Sequence, residues 1–267
     1  MSKKKPSKTK HSSSLPSLEI DHAKTEFVYI ASHQLRTPLT AIKLLVELLL
    51  GDPAIQLHEE QVEYLKNIYQ STGRMVQLVD DLLNVSRIET GTLRVVPVST
   101  NLKSFLETII AELEPVAQEK KCRISLVCKQ PVKPLLIDMG LMHAVFHNLI
   151  VNAIKYSKPG SRAVEVVIKK MSSVKGDFVQ VQVNDHGIGI PKKEQSRIFE
   201  KFFRAENAIQ VQTDGSGLGL YIAHKIAKLS DAELHYQPLK DGTRFYVNLP
   251  VVGSSQKQGT RTIRVYK

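Results

Sequence analysis

Cysteine is scarce in this sequence, which has only Cys122 and Cys128 in 267 residues. The two lie six positions apart in a segment whose pattern predicts a strand, so they are separated by roughly 20 Å at about 3.3 Å per residue. At that separation the thiols cannot form a disulfide bond with each other. The sequence is therefore typical of a protein from a reducing compartment.

Long apolar runs are also missing. The longest stretch without a charged side chain lies between Asp138 and Lys155, and it contains two histidines and two asparagines. A membrane-spanning helix needs about 20 predominantly apolar residues, which excludes this stretch. The lysine-rich start runs into residues 12–14, all serine, without the apolar segment of a secretory signal. We therefore expect a cytoplasmic protein with no membrane span.

The formal net charge of +11 comes mostly from the two ends of the chain. Residues 1–10 hold five lysines and residues 251–267 hold four basic residues, while neither segment holds an acid, so the body is near neutral. Basic tails of this kind are usually solvated ends. A contact with an anionic lipid or nucleic acid stays an alternative, but no specific nucleic-acid partner is predicted.

Apolar residues follow helical spacing in two segments of the first 90 residues. The first segment covers residues 20–50, changes phase at Pro38 and ends at Gly51. The second begins near His58 and repeats a heptad-like pattern over four turns. A single hairpin would bury this stripe poorly, so the pattern predicts a homodimer in which two hairpins form a four-helix bundle.

The second half of the chain mixes helical and strand-like patterns. Helical spacing at 102–119, 141–156 and 218–229 alternates with strand-like segments at 123–128, 164–168, 179–183 and 245–249. This mixture predicts an α+β domain with helices on one face of a mixed sheet. The predicted organisation is a basic N-terminal tail (1–19), a helical hairpin (20–90), a linker (91–100), an α+β domain (101–250) and a basic, frayed C-terminal tail (251–267).

Two polar motifs lie on predicted helices. In the segment 32–39, His33 points away from the apolar face of its helix, and a lone surface histidine is usually only a solvated residue. Asn148 and Asn152 are four residues apart, so their amide oxygens could ligate a hard cation, or they could belong to a polar stripe. His143 and His147 have a spacing that zinc could use, but the sequence offers no third ligand.

Two glycine-containing segments complete the motifs. Asp185 follows a strand and precedes Gly187 and Gly189, so its carboxylate could accept from an adenine amino group while the backbone approaches the base. Residues 215–220 open a helix whose free N–H groups suit a polyphosphate. The pattern lacks Gly-Lys-Ser/Thr, which excludes a Walker-type loop, and the spacing is wrong for a dinucleotide fingerprint. The aromatic residues of 198–204 predict core or lid packing.

In this order the segments resemble the catalytic core of the sensor histidine kinases of two-component signalling, over roughly residues 20–250. The resemblance implies a multidomain α and α+β fold, in which the dimeric hairpin precedes an α/β-sandwich ATP-binding domain of the Bergerat type, as in the Hsp90, gyrase and MutL ATPases. It also implies ATP and Mg²⁺ as ligands. The implied reaction is autophosphorylation and transfer to an aspartate of a response regulator receiver domain.

The resemblance assigns roles to individual residues. His33 corresponds to the phospho-accepting histidine of the H box, and Thr37 to the position that orients a hydrolytic water. Asn152 corresponds to the magnesium ligand and Asp185 to the residue that reads adenine. The implied nucleotide-binding residues come from the N, G1, F and G2 boxes: Asn148, Asn152, Lys155, Tyr156, Asp185, Gly187, Gly189, Phe199, Arg204, Gly215, Gly217, Leu218 and Gly219.

Two departures from the family pattern matter. Gln34 follows the histidine where the family commonly has an acidic residue, so we expect autophosphorylation without full general-base help. Only about 20 residues precede Ile20, which predicts either a core from a longer protein or input from an upstream sensory partner. The alternative functions are a catalytically weak ATP-binding scaffold and a response-regulator phosphatase. A stand-alone ATPase is disfavoured by the histidine-bearing hairpin.

Overall fold

The structure is a computed structural model that describes residues 15–158, 163–173, 176–213, 215–260 and 262–263. For residues 15–30, 33 and 173 it describes the backbone only. Residues 1–14 of the predicted N-terminal tail and the side chain of His33, whose exposure the sequence predicts, lie outside this description. No helix in the described part of the chain combines the length and the apolar character that crossing a membrane requires.

The chain divides into two compact units, Met1–Val79 and Asp80–Lys267. The first contains helix α1 (Leu15–Gly51) and most of helix α2 (Glu59–Glu89). The apolar spacing predicts both helices, but α1 begins five residues earlier than predicted, so the predicted tail over 1–19 is wrong for residues 15–19. Pro38 lies inside α1 without ending it. Several leucines of α1 are exposed in the single chain, among them Leu45 at 61% and Leu48 at 60%. An apolar face of this kind is what a second hairpin would cover.

The second unit begins with the end of α2 and consists of helices packed on a sheet. Its helices of more than one turn are α3 (Leu102–Glu119), α4 (Met139–Tyr156), α5 (Glu206–Val211) and α6 (Gly219–Leu229), with a 3₁₀ helix at Lys192–Arg197. Its strands are β1 (Val98–Thr100), β2 (Ile124–Cys128), β3 (Leu135–Ile137), β4 (Val164–Ser173), β5 (Gly176–Asp185), β6 (Glu233–Pro238) and β7 (Thr243–Pro250).

Five strands form the main sheet in the order β2-β4-β5-β7-β6. The pair β2–β4 is parallel and the other neighbours are antiparallel, so the sheet is mixed, as the sequence predicts. Strand β7 buries alternate residues, including Phe245, Val247 and Leu249, against the helices. Helix α4 contributes Phe146, Leu149 and Ile150 to the same core, which directs its polar residues towards the edge of the helical layer.

Side chains cap the helices that position the candidate site. Asn101 precedes α3 and accepts from the backbone N–H groups of Lys103 and Ser104. Asp138 precedes α4 and accepts from the N–H of Leu141 at 3.0 Å through Oδ1. Its Oδ2 accepts from the N–H of Val96 at 2.7 Å. Asp138 therefore fixes both the start of α4 and the segment that leads into β1.

Several elements were not predicted from the sequence. Strands β1 and β3 have three residues each and pair as a separate two-stranded sheet, which is too short to show an alternating pattern. In β5 both faces are buried, because Gln180 and Gln182 are buried as well as Val179, Val181 and Val183. Gln182 donates to the side-chain oxygen of Gln180 at 2.6 Å, and Gln180 donates to Asn248 at 2.9 Å. These bonds compensate for the burial of the amides.

Residues 254–260 form a segment, the C-terminal strap, that packs back on the second unit where the sequence predicts a frayed tail. The N–H of Ser254 donates to the carbonyl of Leu136 and its buried hydroxyl to the carbonyl of Ser230, both at 2.7 Å. Lys257 and Val95 exchange backbone hydrogen bonds of 3.1 and 3.2 Å. The composition of the strap does not predict these contacts, because its polar residues form hydrogen bonds with backbone groups that are distant in the sequence.

Candidate functional site

The three residues predicted from the H box lie on α1 in the first unit. His33 belongs to the helix, but its side chain lies outside the described part. Gln34 and Thr37 are exposed in the single chain. Because Thr37 is four positions after His33, it lies about one helical turn away on the same side.

The two asparagines of α4 are joined to each other and lie against the start of α6. Asn152 donates from Nδ2 to Oδ1 of Asn148 at 3.0 Å. A Cβ at Gly219 would overlap the side-chain amide of Asn148, so any larger residue here would displace that amide. The predicted N-box residues are therefore brought next to the glycine-rich segment, where the N-terminal N–H groups of α6 lie.

Asp185 is buried at the end of β5, with 5% of its surface exposed. Its Oδ1 accepts from the backbone N–H groups of Gly187 at 2.9 Å and Thr243 at 3.2 Å, and its Oδ2 accepts from the Thr243 hydroxyl. Burial raises the pKa of Asp185 to about 6, although the two backbone hydrogen bonds oppose the rise. Sequence reasoning missed Thr243 as a partner of this carboxylate.

The loop after β5 is fastened to the end of α4. The N–H of Ile188 donates to the carbonyl of Tyr156 at 3.1 Å, and Ser157 forms a bridge with Gly187. A Cβ at Gly187 would overlap the Tyr156 carbonyl, and Gly189 has a φ of +67°. Gly187 is thus needed for the close approach of loop and helix, and Gly189 for the left-handed backbone of the loop. Lys155, on the last turn of α4, has an exposed side chain.

Phe199 and Arg204 have different roles in the second unit. Phe199 stacks on His224 with ring centroids 4.6 Å apart and contacts the edge of Phe245, so it packs between helix and sheet. The guanidinium of Arg204 donates to three backbone carbonyls: those of Gln212, of Thr213 at 2.6 Å and of Gly215 at 3.4 Å. Arg204 therefore holds the segment that leads into the glycine-rich loop.

The glycine-rich loop itself is anchored by Ser216. The Ser216 hydroxyl donates to Asp81 at 2.7 Å and accepts from the N–H of Leu218 at 3.1 Å. Gly217 has a φ of +67°, and a Cβ there would overlap the backbone of Phe202. Leu218, predicted as a nucleotide-binding residue, is 2% exposed. Its side chain belongs to the core, and only its backbone lies in the loop.

The donor set around Asn152 fits magnesium better than a transition metal. An amide oxygen is a hard ligand, and Mg²⁺ usually binds to one or two protein oxygens together with substrate phosphates and waters. The described residues contain no group of three or more His, Cys, Asp or Glu side chains that could hold a metal.

The two histidines of α4 contact each other and a carboxylate. His143 lies 2.7 Å from Glu112 and stacks on His147, and burial lowers the pKa of His147 to about 4.

Comparisons with known proteins decide the family. Residues 23–91 match the His Kinase A (phospho-acceptor) domain. Residues 138–253 match the domain described as histidine kinase-, DNA gyrase B- and HSP90-like ATPase. The chain belongs to the sensor histidine kinases. This assignment confirms the fold class and the family that the sequence motifs predict.

Relatives among curated proteins agree with this assignment. The sensor-like histidine kinase ycf26 of Porphyra purpurea is 32% identical over 88% of this chain and 37% of its own length. The signal transduction histidine-protein kinase BarA of Escherichia coli is 32% identical over 86% of this chain and 25% of its own. The chain thus spans about a quarter to just over a third of the length of these relatives. The crystal structure of full-length ShkA in complex with AMPPNP matches with a TM-score of 0.68 and 26% identity, over 87% of this chain and 47% of that chain.

Proposed function

We propose that this histidine kinase core autophosphorylates on His33 with ATP as donor and then transfers the phosphoryl group to an aspartate of a response regulator receiver domain. The observation that carries the proposal is the cluster of Asn148, Asn152 and Gly219 in a chain whose other unit bears His33 on a helix. The two matched domains, a phospho-acceptor domain and an ATPase-like domain, support the pairing of donor and acceptor.

The residues of the second unit have distinct tasks in binding ATP. The oxygens of Asp185 lie beside Gly187, where a carboxylate can accept from the amino group of adenine. The first N–H groups of α6, which begins at Gly219, suit the negative charge of phosphates. The exposed cation of Lys155 on the last turn of α4 adds positive charge on the Asn152 side of the site. Mg²⁺, when bound with the Asn152 oxygen, supplies neutralisation of the phosphate charge.

The transfer step forms a bond between an imidazole nitrogen of His33 and the γ-phosphorus. The bond from that phosphorus to the β–γ bridging oxygen breaks, ADP leaves, and the imidazole loses its proton. An unperturbed imidazole has a pKa of about 6.5, so at pH 7.5 its neutral and nucleophilic form predominates. The exposed Gln34 beside it can accept a hydrogen bond but is scarcely basic, so the proton passes to water or to a phosphate oxygen.

The partners follow from the same assignment. We expect a homodimer through the hairpin, since the leucines of α1 are exposed in the single chain. We also expect an upstream sensory partner or region, because the matched relatives are several-fold longer than the matching segment. We expect the reaction to take place in the cytoplasm, in line with the two free cysteines.

Incubation of the full chain with γ-labelled ATP and Mg²⁺ tests the proposal. We expect protein label that is stable in base and labile in acid, as a phosphoramidate is, and we expect none on His33→Gln. Since His33→Gln removes only the acceptor, it should still bind ATP. Label that persists on His33→Gln, or its absence from the wild-type chain, would contradict autophosphorylation at this residue.

A further inference from the structure

The C-terminal strap lies along the joining segment (90–97), which connects the end of α2 to β1. Lys257 and Val95 exchange backbone hydrogen bonds of 3.1 and 3.2 Å. Further along the strap, a Cβ at Gly259 would overlap the backbone of Leu93. Because the strap advances from 257 to 259 while its partner recedes from 95 to 93, the two segments run antiparallel and in close contact.

The chain after the strap follows the same path to the end of α2. The carbonyl of Thr262 accepts from the guanidinium of Arg87 at 2.9 Å. Arg87 lies in the last turn of α2 and is only 5% exposed. The next residue after Thr262, Ile263, packs against the core of the second unit. The C-terminal residues therefore fasten both the joining segment and the end of α2 to the second unit.

The strap is anchored on its other side at the turn between α6 and β6. The ammonium of Lys257 donates to the carbonyl of Leu229 and, at 2.6 Å, to Oδ1 of Asp231. The N–H and the hydroxyl of Ser255 donate to Oδ2 of the same carboxylate. Burial alone would raise the pKa of Asp231, but these hydrogen bonds lower it to about 2, so the carboxylate is ionised at neutral pH.

Polar contacts hold the strap, whereas apolar burial holds the segment beneath it. Residues 254–260 read Ser-Ser-Gln-Lys-Gln-Gly-Ser and include no large apolar side chain. Leu93 and Val95 of the joining segment are 2% and 0% exposed and belong to the core. Segments with few buried apolar contacts open at the lowest cost in free energy. The strap can therefore detach while the core of the second unit stays folded.

We propose that the strap is an autoinhibitory contact: while it is paired with the joining segment it slows the labelling of His33, and its detachment speeds the reaction. This inference rests on the proposed function. Labelling requires the γ-phosphate to reach His33, and transfer then requires the receiver aspartate to reach the same phosphorus atom. The unit that carries ATP must therefore approach and withdraw. Since the joining segment connects this unit to the hairpin, each contact that fastens the segment adds to the cost of that movement.

Gly259→Ala tests the strap with a single methyl group. Because a Cβ at this position overlaps the backbone of Leu93, the strap has to move off the joining segment. Hydrogen exchange of the Val95 amide, followed by NMR on the full chain, should become about 10-fold faster, since this N–H loses its acceptor. The single-turnover rate of His33 labelling at saturating Mg-ATP should rise about 3- to 10-fold. The control Gln258→Ala, at the exposed neighbouring position, should change neither rate.

Lys257→Met tests the anchor at the other side of the strap. The variant keeps the length of the side chain and removes the ammonium that binds Leu229 and Asp231. The matched control is Lys103→Met, which removes an ion pair of 3.5 Å with Glu107 on α3. We expect Lys257→Met to speed Val95 exchange and His33 labelling, and Lys103→Met to change neither. The dissociation constant for Mg-ATP should be unchanged in all four variants, because none alters a predicted nucleotide-binding residue.

The outcomes separate this inference from the function on which it rests. If exchange at Val95 becomes faster in Gly259→Ala while labelling is unchanged or slower, the autoinhibitory role is wrong and the kinase assignment stands. Unchanged exchange in both Gly259→Ala and Lys257→Met also overturns the role, because the strap then does not protect the joining segment. A wild-type chain that takes no label on His33 overturns the proposed function itself. Thermal unfolding identifies a variant that fails to fold, in which case the other one decides.

Discussion

The side-chain amide of Asn152 donates from Nδ2 to Oδ1 of Asn148, one helical turn earlier, at 3.0 Å. Because Nδ2 makes this bond, the Oδ1 of Asn152 takes no part in it. Asn148 in turn lies against Gly219, where a side chain would displace it. The pair therefore keeps the Oδ1 of Asn152, a hard oxygen, one helical turn from the residue that contacts the start of α6.

Asn152→Ala removes that oxygen. We expect labelling of His33 from Mg-ATP to be lost, because the metal would lose its protein ligand. Thermal unfolding should remain close to that of the wild type, since Asn152 is only partly buried. Normal labelling of Asn152→Ala in the presence of Mg²⁺ would show that the metal is held elsewhere.

Gln34→Glu places a carboxylate beside the nucleophile. General-base catalysis typically accelerates a reaction about 10²- to 10⁴-fold, so the single-turnover rate of His33 labelling should increase by up to that factor. Because Gln34 is exposed in the single chain, the new charge should not affect the folding of the hairpin itself. An unchanged rate with a lower melting temperature would instead indicate that Gln34 faces the dimer seam.

A double substitution in α1, Leu45→Glu with Leu48→Glu, should produce a monomer. Both leucines are about 60% exposed in the single chain, so the change costs little within one hairpin but places charges in a bundle interface. Leu136→Glu is a matched control, since Leu136 is exposed on β3 in the second unit. Light scattering that shows a dimeric double variant would assign the dimer contact to another surface.

Asp185→Asn should remove a pH dependence of stability. The folded-state pKa of about 6 lies above the ordinary value of 3.8, so ionising this carboxyl destabilises the folded chain as pH rises through that window. This destabilisation by the ionised Asp185 is absent below about pH 4 and complete above about pH 6.

The free energy of unfolding of Asp185→Asn, relative to wild type, should therefore increase by about 3 kcal/mol between pH 3.5 and 7. Denaturant unfolding at a series of pH values measures this difference. Titration of His147, which is present in both proteins, cancels in the comparison. A difference that does not vary with pH would show that Asp185 titrates as an ordinary carboxyl.

Ser254→Ala should destabilise the second unit by about 1 kcal/mol. The variant removes a buried hydroxyl that donates to the carbonyl of Ser230 at 2.7 Å and leaves that carbonyl without this donor. Ser99→Ala, at an exposed position of β1, is the control and should change stability little. Equal unfolding midpoints for the two variants would mean that the hydrogen bond from the Ser254 hydroxyl does not contribute to the stability of the second unit.

The long helices could be predicted from the sequence because their apolar periodicity extends over several turns. The spacing predicted α3 over 102–119, which is where the structure has it, and α4 differs only at its start. Strands β1 and β3 could not be predicted in this way, because their three-residue length holds no period and their pairing joins Val98 to Ile137 across the whole of α3.

The candidate site was predictable where a local motif carries it. Asp185 and Gly187 form such a motif, and the structure brings them within a hydrogen bond of each other. Thr243 lies 58 residues further along and meets Asp185 only because β5 and β7 pair in that register. Asn207 and Tyr236 line a cavity with the loop 187–191 but belong to no motif, so their place there depends on the folding of three distant segments.

The backbone bridge between Val95 and Lys257 places a residue near the start of the ATP-binding unit beside a residue near its end. A unit whose ends are neighbours can be inserted into another chain, or joined to itself in a new order, with little distortion. A short linker from residue 257 back to residue 95 would therefore have little distance to span.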